Sequence, residues 1–67
     1  MKANIIDDHI IVTFTEKEYH IVMGGLRELV AEMHEKDFPS RMGVSRERVS
    51  ELAQSLYDES VRLGIEE

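Results

Sequence analysis

Thr15–Met33 reads TEKEYHIVMGGLRELVAEM, and its spacing decides the fold. Tyr19, Val22, Leu26, Leu29 and Met33 recur every three or four residues, the period of one helix face. Thr15 and Glu18 form the Thr-x-x-Glu capping box at its start. Glu16 and Glu18 suit the positive end of the helix dipole. The helix is expected over residues 16–36. Gly24-Gly25 lies mid-helix and costs about 1 kcal/mol per glycine relative to alanine. Gly25 shares the face of Val22 and Leu29, so it permits close approach of another helix; a kink is the alternative.

Downstream, Val49, Leu52, Leu56 and Leu63 repeat nearly the same stripe, with Ala53 and Ser60 as the small residues of that helix. Ser45 is a good N-cap, Gly64 a good C′ residue and Ile65 its closing apolar contact, which gives a second helix over 46–63. Residues 37–44 are expected to connect the two, since Pro39 disfavours helix at Phe38. Phe38, Met42 and Val44 should fold back over the open end of the resulting antiparallel hairpin.

Upstream, residues 3–14 read as β. Ile10, Val12 and Phe14 occupy one face, expected to meet the helices, and Ile11 and Thr13 the other. Asp7-Asp8 can turn because Asp tolerates left-handed backbone, so the segment is a hairpin or one bent strand. The expected fold is α+β: a short β segment on a two-helix hairpin, in one domain spanning 1–67.

Sixty-seven residues bury only about 60% of their unfolded surface. No cysteine is present to add a disulfide or a thiolate metal site. Helix packing or self-association must stabilise the chain. His9, His20 and His34 are dispersed with no ligand spacing, and no phosphate loop or nucleophile elbow occurs. No cofactor, metal or catalytic residue is expected, and the chain does not read as an enzyme. Asp7, Asp8 and His9 interrupt the N-terminal apolar stretch, so no secretory signal is expected. No apolar run approaches a membrane span, and a cytoplasmic protein is the expectation.

The net charge of −6 argues against general nucleic-acid affinity. The charge is uneven, with Lys36, Arg41, Arg46 and Arg48 near the connection and carboxylates concentrated at the other end. The residues Arg41-Met42-Gly43-Val44-Ser45-Arg46-Glu47-Arg48-Val49 resemble the turn and recognition-helix start of helix-turn-helix proteins, especially the DNA-reading region of bacterial sigma factors. That resemblance implies that Ser45, Arg46 and Arg48 face DNA and Val49 is buried, with Arg41 on the same basic tip. Pro39 departs from the motif, falling where a short first helix should run. Leu52-Ala53-Gln54-Ser55-Leu56 resembles the second-helix motif of the helical-hairpin aspartyl-phosphate phosphatases of spore-forming bacteria. Gln54 and Leu56 match, while Ala53 and Tyr57 stand where that motif has Ser and Asp, and the acidic residue shifts to Asp58.

Met23 and Val30 form a second apolar stripe beside the first. With Gly25 and the outward Ile11, they are the expected interface of a homodimer or of a protein partner. The functional expectation is a small binding or regulatory protein of bacterial or phage type, acting through protein contacts. A DNA-binding regulator is the first alternative and a phosphatase-like hairpin the second.

Overall fold

The computed structural model describes residues 1–65. Two strands, β1 (Lys2–Ile6) and β2 (His9–Thr13), precede three helices, α1 (Glu16–Glu32), α2 (Phe38–Met42) and α3 (Arg46–Leu63). A single 3-10 turn at Glu35–Asp37 leads into α2. The fold is α+β.

The β segment is an antiparallel hairpin rather than a bent strand, with Ala3 opposite Val12 and Ile5 opposite Ile10. Its two-residue turn is Asp7-Asp8, both at positive φ (47° and 66°). Two left-handed residues make the turn whose twist matches that of paired strands. His9 Nδ1–H donates to the Asp7 carbonyl at 2.9 Å and closes it.

Helix α1 starts at the expected box. The Thr15 N–H donates to Glu18 Oε1 at 2.9 Å, and the Glu18 N–H donates to Thr15 Oγ1 at 3.1 Å. It ends four residues before the expected Lys36, because Met33 and His34 turn extended (ψ 136° and 135°). That break brings Phe38 into the interior, where it is 0% exposed. Residues 38–42, expected as loop, are helical. Pro39 lies in the first turn of α2, where a missing N–H costs nothing and a fixed φ helps. Gly43, at φ 77°, ends α2 in the left-handed region.

Helix α3 has the expected bounds and caps. Ser45 Oγ accepts from the Arg48 N–H at 3.3 Å. At the other end the Ile65 N–H returns to the Ser60 carbonyl at 3.0 Å, closing the turn around Gly64.

The buried face of each helix is rotated from the expected stripe. On α1, Met23 is 3% exposed while Val22 is exposed. On α3, Val49, Ala53 and Ser60 are buried, whereas Leu52 and Leu63 are 54% and 55% exposed. The spacings 49, 53, 56 and 60 satisfy the helical period as well as 49, 52, 56 and 63 do. Placing Ala53 and Ser60 inward lets the two helices approach. The Tyr19 hydroxyl crosses the interface to donate to the Leu56 carbonyl, and the Ser60 hydroxyl satisfies itself on the Tyr57 carbonyl at 2.6 Å. Gly24 and Gly25 leave α1 unbroken, and a Cβ added at either would meet nothing within 4 Å. The close approach expected at Gly25 is therefore absent.

Candidate functional site

Two surfaces stand out, one on the hairpin and one between the long helices. Strand pairing puts Ala3, Ile5, Ile10 and Val12 on one face of the hairpin, all of them apolar. Only the base of that face is partly covered. There Val12, Phe14, Tyr19, Leu56, Leu63 and Ile65 line an open groove of about 560 Å³. Further out, Ile5 and Ile10 are 79% and 69% exposed. The expected packing of Ile10, Val12 and Phe14 on the helices thus holds only near Phe14, which is half-buried. The hairpin leads into the N-terminus of α1 through the two-residue link Phe14-Thr15. Its free end is tied by the Met1 ammonium, 3.3 Å from Glu18 Oε2. The Glu18 carboxyl is held below the ordinary carboxylate range by the Thr15 backbone N–H and, secondarily, by that ammonium.

The second surface is a groove of about 430 Å³ between α1 and α3. Arg27, Arg46, Gln54 and Tyr57 stand around it, and Val30, Ala31 and Ala53 contribute apolar surface. Arg46 Nε–H donates to the Val30 carbonyl at 3.2 Å. That carbonyl belongs to the last turn of α1, where no intrahelical partner remains and no basic residue of α1 itself is present. Arg46 therefore supplies from α3 the cation that the C-terminus of α1 lacks. The Arg27 guanidinium lies 5.9 Å from the centre of the Tyr57 ring. Among the described residues neither arginine has a carboxylate partner; the side-chain ion pairs are Arg48 with Glu51 and Arg62 with Glu59. Arg62 lowers the Glu59 carboxyl below its ordinary value.

The residues singled out from sequence are dispersed. Met23 is 3% exposed and belongs to the chain's own core, not to a second surface stripe. Val30 is half-buried and lines the arginine groove, while Ile11 and Gly25 are exposed on different elements. Arg41, Ser45 and Arg48 lie exposed around the α2–α3 turn, but Arg46 is turned back onto α1. Gln54 donates to Asp58 Oδ1 at 2.9 Å along the outside of α3. Among the described residues no three groups able to hold a metal come together, and no helix is long and apolar enough to cross a membrane.

Sequence reasoning passed over Arg27, and saw Tyr57 only as a departure from the phosphatase motif. Thirty positions separate the two, and only the antiparallel packing of α1 and α3 brings them together. Comparison with protein-family models, curated proteins and solved structures finds no match to this chain.

Proposed function

We propose that this is a small non-enzymatic binding protein, cytoplasmic and of bacterial or phage type, that acts through protein–protein contacts as a homodimer. The observation that carries the reading is the apolar hairpin face with Ile5 and Ile10 in solvent. Magnitudes support a second copy as its cover. A compact monomer of 7.7 kDa exposes about 4,300 Å², against 5509 Å² here. A compact chain of 67 residues has a radius of gyration of about 11 Å, against 13.2 Å here. The excess surface is about 1,200 Å², more than the roughly 800 Å² each partner contributes to a standard interface. A twofold packing of the hairpins face to face uses one self-complementary patch and buries the apolar face of both copies at once.

The test is an equimolar mixture of isotope-labelled and unlabelled protein. Intermolecular NOEs from the Ile5 and Ile10 methyls to the second copy are the expected result. Their absence in a sample at millimolar concentration would remove the dimer.

A DNA-binding regulator is the second reading, favoured by one observation. Phe38–Met42 is a short helix ending at left-handed Gly43, followed by the capped start of α3, so Pro39 is no obstacle to a helix-turn-helix outline. Against it, Glu47 and Glu51 interleave with Arg48 on the exposed face of α3, and Arg46 is engaged with α1. Retention on heparin that falls steeply with salt would support this reading over the first.

A further inference from the structure

We propose that the groove between α1 and α3 is a carboxylate-binding site for an acidic segment of a protein partner, with Arg27 and Arg46 as the paired anion ligands. The proposal names the partner chemistry for the protein-binding reading above and uses a surface that shares no residue with the groove at the hairpin base.

Both cations are held in position before any ligand arrives. Arg46 is fixed by its Nε–H to the Val30 carbonyl, which leaves its two terminal nitrogens for a ligand. Arg27 rests against the Tyr57 ring. A guanidinium already ordered loses less freedom on binding than a free lysine ammonium, and its planar fork matches the two oxygens of a carboxylate. The chain has fourteen acidic residues to eight basic ones, yet these two arginines have no carboxylate among the described residues. Among the described residues no carboxylate lines this groove, and the carboxylate beside it, Asp58, is engaged by Gln54 at 2.9 Å.

The apolar surface of Val30, Ala31 and Ala53 between the arginines selects a peptide over a bare inorganic anion. An aliphatic side chain can rest there while flanking carboxylates reach Arg27 and Arg46. Ser50 adds a hydroxyl at the same wall, suited to a peptide backbone. The net charge of −6 works against any anion that approaches without a specific site, so non-specific binding of an acidic probe should be low.

The probe is the capped peptide acetyl-Glu-Glu-Leu-Glu-Glu-amide, titrated into full-length 15N-labelled protein. The side-chain Nε–H signals of Arg27 and Arg46 should shift together and saturate, with a Kd below about 1 mM. Arg27→Gln and Arg46→Gln should each weaken binding about tenfold, while Lys17→Gln leaves it unchanged. Because Arg46 also caps α1, Arg27→Gln carries the test if Arg46→Gln loses helical content. Non-saturating shifts spread over every cation would overturn the proposal, as would equal affinities for Arg27→Gln and Lys17→Gln. Displacement of the peptide by inorganic phosphate at matched ionic strength would reassign the site to phosphate and overturn the carboxylate assignment. Loss of the dimer in Arg27→Gln, read by sedimentation, would put a second copy in the groove and overturn the partner assignment. Absence of a dimer in wild type with intact peptide binding would leave this site standing and remove only the hairpin interface.

Discussion

The N-terminal hairpin and the helical body obey the same local rules to different ends. Both are well specified by their own residues: Asp7-Asp8 turns the strands, and Thr15, Ser45, Gly43 and Gly64 cap the helices. The helical body then buries Met23, Phe38, Val49, Ala53 and Ser60. The hairpin buries nothing fully, although one of its faces is as apolar as any stretch of the chain. A two-stranded ribbon is at best marginal alone in water. Local chemistry chooses the conformation, and tertiary contact stabilises it. The helices find that contact within the chain, whereas the hairpin residues stay exposed; the proposed dimer would supply the contact they lack.

The largest expected effect falls on the body. Phe38→Ala should cost about 3–5 kcal/mol, enough to unfold a domain of this size in thermal or urea denaturation. A variant that melts like wild type would mean that the body lacks the core assigned to it. Ile10→Asp acts on the other region. It should weaken self-association by about 2 kcal/mol or more, roughly thirtyfold in Kd, with the helical signal in circular dichroism retained. Unfolding of the helices by that change would erase the distinction between the two regions.

Smaller effects sharpen the comparison. Gly25→Ala should raise the melting free energy by about 0.5–1 kcal/mol, because the position is open and helical. A loss instead would place a second helix against that face. Asp8→Gly should stabilise the hairpin by a few tenths of a kcal/mol to about 1 kcal/mol, read by amide exchange in β1 and β2. Leu52→Ala should stay within about 0.5 kcal/mol of wild type, since the side chain is largely in solvent. The smallest effect is acid sensitivity at the junction. The Glu18 carboxyl is lowered in the folded state, so its contribution is present above the unfolded carboxylate pKa and is lost as pH falls through the folded value. Glu18→Gln should flatten that part of the stability–pH curve, measured by chemical denaturation across the acid range.

The starts of α1 and α3 and the end of α3 are legible because capping is written in adjacent residues, whereas the end of α1 at Glu32 carries no such signal. Thr15 with Glu18, Ser45, and Gly64 with Ile65 all read correctly in isolation. Helix faces were less legible. Val22 and Met23, or Leu52 and Ala53, satisfy the same period, and the choice depends on which small residues admit the neighbouring helix. Helix α2 is not legible because Pro39 disfavours helix at the residue before it and yet suits a first helical turn, and only the fold, which buries Phe38, decides between the two. The arginine groove was illegible for a different reason. Arg27 comes from one helix and Arg46 and Tyr57 from another, and no spacing along the chain encodes their meeting.

The claim that the hairpin's apolar face is covered by a second copy is tested most directly by sedimentation equilibrium of the wild-type chain from micromolar to near-millimolar concentration. The expected result is a mass approaching twice 7.7 kDa, a thermal midpoint that rises with concentration, and loss of both in Ile10→Asp. A well-folded 7.7 kDa monomer across the whole range, with the hairpin amides protected, would contradict it.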